Sequence, residues 1–349
     1  MLTSDWQADQ VPVDSTILRQ LALIDYQQPS YQQKWQVEQS NYKLTQQAIR
    51  DWQPDLVYIW SQRLVSLAPL WAVQDLNCKR VFEIGDFWPD SYLKPGFKAW
   101  AKRQLKQFIP GLLGGPIQID PVISVSQWMI PEIKAKYGSQ QIQFIPNGIP
   151  VPQQSQADWQ EPLKVLFVGR LDPEKGLHLA LEALADLKNK GIVLPLSIAG
   201  QGDADYTRQC HQLVHERGLE AQVQWLGWKH DLEAIYAGHQ LLLMPTLMRE
   251  PFGLVIIEAM MRGLVVFASD AYGPAEIIQS GHNGYLFKPG SSQSLADCLA
   301  MALKTPSDLV QIGQSAAHES RRSYALDQVK KQVEQILYQQ AGITPCQRI

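Results

Sequence analysis

The sequence predicts an α/β protein of two doubly wound, parallel-sheet domains, and three observations carry that expectation. A chain of 349 residues is long for one core and right for two domains of roughly 150 to 180 residues each. Strand-length aliphatic runs alternate with stretches whose apolar residues recur at helical spacing, the pattern of strand and crossover helix in a parallel sheet. Near the middle, Pro146, Asn147, Gly148, Pro150 and Pro152, followed by the polar run 153–161, interrupt both kinds of element.

In the second half the expected strands are 163–168, 193–199, 222–226, 240–244 and 264–268, with helices 177–190, 206–218, 231–237 and 252–262 between them. The first half repeats the pattern less regularly, with strands at 56–60, 80–83, 122–125 and 143–145. A helix over 326–340 puts Val329, Val333, Ile336 and Leu337 at helical spacing with no strand after it, so it should pack on an existing surface. The expected division is an N-terminal domain over 1–152, a second domain over 153–325, and a tail over 326–349 that packs back across them.

Hydrophobic residues make up 45% of the chain and charged residues 19%, with a formal net charge of −3. That balance argues against disorder and against the basic field of a nucleic-acid-binding protein. Cys78, Cys210, Cys298 and Cys346 are far apart with no C-x-x-C pair, so neither a disulfide framework nor a zinc site is expected, and a reducing compartment fits. The first residues lack a basic and apolar leader, and apolar runs such as 241–244 and 263–268 fall well short of the roughly 20 residues a membrane helix needs. A cytoplasmic location is the expectation.

The strongest chemical signal is Glu250-Pro251-Phe252-Gly253-Leu254-Val255-Ile256-Ile257-Glu258. Pro251 and Phe252 are expected to open a helix, leaving the amides of Phe252, Gly253 and Leu254 free at its positive end, where phosphate binds. Gly253 lets a ligand approach the backbone, and Glu258, about two turns on, can accept hydrogen bonds from a ribose diol. The plainer alternative is a helix with an acid before it and a solvated Glu within it. The second signal is Val168-Gly169-Arg170-Leu171-Asp172-Pro173-Glu174-Lys175-Gly176, directly after a strand and before a helix. Arg170 and Lys175 then lie at the carboxyl end of a strand, where open α/β sheets bind ligands and where two cations can neutralise a leaving diphosphate. The alternative there is a solvated turn in which Asp172 and Glu174 pair the cations. Together in one domain, the motifs supply different parts of a single ligand, a nucleotide diphosphate sugar.

Two nearby patterns are set aside. Gly200-Gln201-Gly202-Asp203-Ala204-Asp205 lacks the third glycine of a dinucleotide fingerprint, which disfavours an NAD-linked dehydrogenase, and its aspartates are expected to cap the following helix, not to bind metal. His211 and His215 are four apart without a third ligand and read as a solvated helix face.

With these residues in place, the second half resembles the donor domain of family 4 retaining glycosyltransferases of the GT-B fold over nearly all of 163–300. The matching segments are Val168-Gly169-Arg170 to Lys175-Gly176, Ile198-Ala199-Gly200-Gln201-Gly202, Trp225-Leu226-Gly227, Glu250 to Glu258, Tyr272-Gly273-Pro274-Ala275-Glu276 and Asn283-Gly284. In the first half, Pro146-Asn147-Gly148-Ile149 and Val125-Ser126 are similar to the family's acceptor domain. Val81 to Pro89 resembles a segment that family members hold in the interdomain cleft, and Asp86 is carried over from it.

The resemblance implies two Rossmann-like domains facing across a cleft. It also implies a metal-independent transfer, with retention, from a nucleotide diphosphate sugar to a saccharide or lipid-linked acceptor, with no cofactor. Catalytic parts fall to Arg170, Lys175, Glu250 and Asp86, the two cations stabilising charge that grows on the leaving group and Glu250 holding hydroxyls of the donor sugar. Gly169, the amides of Phe252, Gly253 and Leu254, and Glu258 would hold the nucleotide. Trp228 would line the base pocket, the alternative being a buried structural Trp.

The chain also departs from the family pattern. It opens at what resembles the end of the family's second strand, so the first strand, its glycine-rich loop and its helix are expected to be missing and the N-terminal domain to be incomplete. A nucleotide-sugar-binding protein without turnover is therefore the second reading. One further segment, 97–109, can align Phe97, Trp100, Leu105, Phe108 and Ile109 on one helical face with Lys98, Lys102, Arg103 and Lys106 around the rest. Such a helix either buries its apolar face in the first domain or lies on an anionic membrane surface, making the protein peripheral at the inner face of a membrane.

Overall fold

The computed structural model describes residues 2–4, 18–23, 30–63, 65–93, 97–106, 108, 112–153, 157, 159 and 162–344. The chain divides into two units, one of Met1–Ile145 with Gln332–Ile349 and one of Pro146–Lys331.

The first unit holds β1 (Leu2–Ser4), β2 (Leu18–Leu21), α1 (Tyr31–Trp52), β3 (Val57–Ile59), α2 (Ala68–Asp75), β4 (Arg80–Ile84), α3 (Phe97–Lys106), β5 (Val122–Ser124), α4 (Ile130–Tyr137) and β6 (Ile142–Phe144). Strands β3 to β6 form a parallel sheet in chain order, and β1 pairs with β2 in a sheet of its own. Helix α1 starts at a capping box, with the Ser30 hydroxyl accepting from the Gln33 amide and the Gln33 side chain accepting from the Ser30 amide. Within α1, buried Asn41 binds both backbone groups of Ala22 and the Val65 carbonyl, joining three separate segments. The helix expected over 97–109 forms as α3, but the side chains of Phe97, Trp100, Lys102, Arg103 and Ile109 lie outside the described residues. Leu105 and Phe108 are exposed and take no part in a core.

The second unit holds β7 (Val165–Val168), α5 (Leu177–Asn189), β8 (Leu196–Ala199), α6 (Ala204–Glu216), β9 (Val223–Gly227), α7 (Glu233–Ala237), β10 (Leu241–Met244), α8 (Leu254–Met261), β11 (Val265–Ser269), α9 (Tyr272–Ile277), β12 (Tyr285–Phe287), α10 (Ser292–Ala302) and α11 (Pro306–Tyr324). Its six strands are parallel in the order β12-β11-β10-β7-β8-β9. Every residue of β10 and β11 is buried, as strands covered on both faces must be. The core gathers Leu177, Leu181 and Leu184 of α5 with Leu295 and Leu299 of α10 beneath Phe167 and Phe267. From β7 the chain winds outward to β9, returns to the other side of β7 as β10, and winds outward again to β12. The crossovers therefore diverge between β7 and β10.

Helix α12 (Leu326–Ala341) begins in the second unit and ends in the first. At its start the Leu326 amide donates to the Ile149 carbonyl at 2.8 Å, and Ile149 donates to the Tyr324 carbonyl at 3.0 Å, so the Pro-rich segment is hydrogen-bonded and not loose.

The turn between α9 and β12 is fixed by side chains. Asn283 is buried; its amide donates to Glu319 Oε2 at 2.8 Å and its oxygen accepts from the Gln279 amide at 2.8 Å, while His282 Nε2 meets Glu319 Oε1 at 2.7 Å. Partial burial acts to raise the Glu319 pKa, but the hydrogen bonds from His282 and Asn283 outweigh it and hold the carboxyl below its ordinary 4.5. Its contribution to stability is thus complete above the unfolded value and is lost as pH falls through the lower native one. Urea melts from about pH 6 to about pH 3 should register that loss, and Glu319→Gln should flatten part of the slope.

Candidate functional site

Where neighbouring strands send their crossovers in opposite directions, a crevice opens beyond the carboxyl ends. The strands here are β7 and β10. After β7 the chain passes Gly169 and Arg170 into a 3-10 turn over Pro173–Lys175, started by Asp172, whose Oδ1 accepts the Lys175 amide at 3.1 Å. Gly176 ends the turn at φ 73°, and a Cβ there would lie 2.0 Å from the Pro245 carbonyl oxygen. From the loop after β10, the Leu247 amide donates to the Glu174 carbonyl at 2.7 Å and the Thr246 hydroxyl donates to it at 3.2 Å. The two loops are thus held edge to edge. Across them Lys175 Nζ meets Glu250 Oε2 at 2.8 Å, with side-chain exposures of 23% and 14%.

The two expected cations therefore behave differently. Lys175 pairs with the other candidate residue, Glu250, and not with its neighbour Glu174. Arg170 does pair locally, its Nε 2.5 Å from Asp172 Oδ2, and its side chain is 65% exposed.

Helix α8 begins at Leu254, not at Pro251 or Phe252. The reason is Gly253, whose φ of 106° lies outside the helical region and stops the helix from extending back. The amides of Leu254 and Val255 head the helix without an acceptor among the described residues. The Phe252 ring packs into the core against Tyr324. A third loop joins after β11: the Gly273 amide donates to the Glu250 carbonyl at 3.0 Å, and a Cβ on Gly273 would lie 2.4 Å from the Phe252 carbonyl oxygen. Beside it Tyr272 takes φ 56°, a conformation rare for a residue with a side chain, and the Arg249 guanidinium lies 5.2 Å from its ring centre.

Gly169 and Arg170 also line a pocket of about 410 Å³ with Gln201, Trp228 and Leu232. Its floor is fixed by backbone contact between the loops after β7 and β8: the Gly169 amide donates to the Ala199 carbonyl at 3.1 Å, and a Cβ on Gly200 would lie 1.8 Å from the Gly169 oxygen. Trp228 is 59% exposed, so it is pocket wall and not the buried structural residue of the alternative.

Glu258 projects from α8 to Tyr236 of α7, whose hydroxyl donates to Oε2 at 2.8 Å. Burial, then the adjacent carboxylate, pushes the Tyr236 pKa well above its ordinary 10, so the hydroxyl keeps its proton. Sequence reasoning missed Tyr236, since an aromatic residue in a five-residue helix carries no sign of a partner 22 positions away. Asp86 belongs to the first unit. Its Oδ1 accepts the Trp88 amide at 2.8 Å and its Oδ2 pairs with Arg63 at 2.9 Å.

Of the two aspartates expected to cap α6, Asp203 does so through the Tyr206 amide at 2.7 Å, whereas Asp205 lies within the helix and pairs with Arg208; on the same helix His211 stacks on Trp225 and His215 meets Glu220. Among the described residues no group of three or more His, Cys, Asp or Glu could hold a metal ion.

Part of the chain is similar in sequence to known proteins. Residues 153–319 match the family model of glycosyl transferases group 1. A Salmonella typhimurium protein named as a colanic acid biosynthesis glycosyltransferase is 30% identical over 146 residues, covering 40% of this chain and 36% of that protein. The phosphatidyl-myo-inositol mannosyltransferase of Mycobacterium leprae is 32% identical over 168 residues, covering 46% of this chain and 44% of its own. The matches thus span less than half the length of these curated relatives. The crystal structure of Anabaena HepE in complex with UDP aligns with a TM-score of 0.70 at 21% identity over 93% of this chain and 86% of that one. HepE has also been crystallised with UDP and glucose. At that identity the likeness speaks for fold alone. The fold is the expected one, GT-B, with two Rossmann-like parallel-sheet domains.

Removing Lys175 would leave the mostly buried Glu250 without its partner, so Lys175→Met should lower the unfolding free energy in urea by about 1 to 3 kcal/mol. Arg170→Ala, at an exposed pair, should cost less than about 0.5 kcal/mol.

Proposed function

We propose that this chain transfers a sugar from a nucleotide diphosphate sugar to a saccharide or lipid-linked acceptor, with retention at the anomeric carbon and without a metal. The observation that carries the reading is the meeting of Lys175 with Glu250 at the strand-order reversal, beside the start of α8 and on the loop that supplies Arg170 to the adjoining pocket.

The chemistry follows from where charge develops. As the bond between the anomeric carbon and the diphosphate breaks, negative charge gathers on the leaving oxygens. Groups that meet that charge bind the transition state more tightly than the ground state and so accelerate the step. Arg170, Lys175 and the amides of Phe252, Gly253 and Leu254 supply positive ends without a cation, the helix start through its dipole. Glu250, already aligned by Lys175, accepts hydrogen bonds from the donor sugar. Glu258 accepts from the ribose, and Trp228 flanks the base. Retention, and a part for Asp86 on the acceptor side, rest on the resemblance of the quoted motifs.

Support for the donor class comes from the family match over 153–319 and from the UDP complexes of HepE. The names of the Salmonella and Mycobacterium relatives favour saccharide or lipid-linked acceptors. We assign the protein to the cytoplasm, with exposed Leu105 and Phe108 of the basic α3 segment touching the inner face of a membrane. No helix among the described residues is long and apolar enough to cross one.

A thermal-shift panel of UDP-, GDP- and ADP-sugars should select one donor, since a ligand at about 100 times its Kd adds about 2.7 kcal/mol. Arg170→Ala and Glu258→Ala should each abolish the shift; a shift that survives in both sinks the site. With the selected donor radiolabelled, Lys175→Ala should slow transfer by about 100- to 1,000-fold. Binding with no transfer or hydrolysis by the intact chain would instead favour a binding protein, and an inverted product anomer would remove retention.

The membrane contact has its own measurement: anionic vesicles should sediment the protein at low salt and release it at high salt. No sedimentation at low salt ends that part of the proposal.

A further inference from the structure

Glu258 is the only member of the candidate set whose carboxylate is held by a buried neutral side chain from another helix. Its Oε2 accepts the Tyr236 hydroxyl at 2.8 Å, and no hydrogen-bond donor among the described residues reaches Oε1. Tyr236 is 1% exposed. Its ring is fixed from one side by Arg262, whose guanidinium carbon lies 4.9 Å from the ring centre. Arg262 is fixed in turn: Nε donates to Glu233 Oε2 at 3.2 Å, a second nitrogen pairs with the same oxygen, and Nη1 donates to the Glu258 carbonyl at 2.8 Å. The Tyr236 amide also donates to the Leu232 carbonyl at 2.8 Å, and Leu232 lines the pocket that Trp228 and Arg170 share.

A glutamate on a helix surface samples several rotamers, and ordering them on binding costs free energy that preorganisation removes. A buried phenol packed against Arg262, donating to one carboxylate oxygen, selects one rotamer before any ligand arrives. We infer that Tyr236 is a positioning residue for nucleotide recognition: it occupies one oxygen of Glu258 so that the other is presented to the ribose hydroxyls, and it ties that carboxylate to the pocket wall at Leu232. The inference rests on the reading of Glu258 as the ribose acceptor and adds the group that aims it.

The test compares the nucleoside diphosphate of the donor that the thermal-shift panel selects with its 2′-deoxy form by calorimetry, because an aimed carboxylate discriminates between them and packing does not. The wild-type protein should favour the ribonucleotide by about 10-fold or more, as a hydrogen bond to a charged group would give. Tyr236→Phe keeps the ring and should bring the two affinities to within about 3-fold of each other. Loss of both affinities in equal proportion, with the ratio unchanged, means that the tyrosine only fills space and overturns the inference. Glu258→Gln separates the two levels. If it narrows the ratio and Tyr236→Phe does not, the ribose reading stands and the positioning inference falls; if the wild type shows no ratio, both fall. Should Tyr236→Phe fail to fold, Glu233→Gln, which releases Arg262 from its ion pair at the surface, is expected to narrow the same ratio about 2-fold. An unchanged ratio in that variant overturns the inference as well.

Discussion

Gly176 lies against the Pro245 carbonyl so closely that no Cβ fits between them, and the geometry of the candidate site follows from that contact. It locks the loop after β7 to the loop after β10, two strands adjacent in space and about 75 residues apart in the chain. Once those backbones touch, the Glu174 carbonyl can take the Leu247 amide and the Thr246 hydroxyl, and Lys175 pairs across the loops with Glu250. A larger residue at 176 would part the loops and leave both charges half-buried and unpaired, the costly arrangement for ionised groups.

The same logic operates on the neighbouring loops. Gly200 against Gly169 and Gly273 against Phe252 are backbone-to-backbone approaches that only a missing side chain permits. Each brings another loop to the carboxyl edge of the sheet. The outcome is a surface where charge is compensated in pairs, Lys175 with Glu250 and Arg170 with Asp172. On the proposed reading a diphosphate would replace protein carboxylates as the partner of these cations, so its electrostatic gain would be a difference between two paired states, not the full attraction of bare charges.

Much of this was legible in the residues. The five expected strands of the second unit form because runs such as Leu241–Met244 and Val265–Ser269 are apolar throughout, which a sheet covered on both faces demands. Asp203 announced the start of α6 because a carboxylate before a helix has free amides to bind. β12, three residues between Gly284 and Lys288, is too short to display a period and went unseen. The residues place the start of α8 at 252, two positions early, because Pro251 suits a first helical turn, whereas the positive φ of Gly253 is a tertiary fact. Which acid would pair with Lys175, that Trp228 would face solvent, and that Tyr236 would reach Glu258 all depend on strand order, and no local pattern encodes strand order.

Tyr272 bears on how this edge of the sheet can change. Its backbone occupies the left-handed region, which for a residue with a side chain costs on the order of 1 kcal/mol and which glycine adopts freely. Random replacement at this codon would therefore find glycine or asparagine the more comfortable occupants of the fold. Either would give up the aromatic ring beside the Arg249 guanidinium, a contact of about 0.5 to 1 kcal/mol at an exposed site. Backbone ease and side-chain contact thus pull in opposite directions at this position.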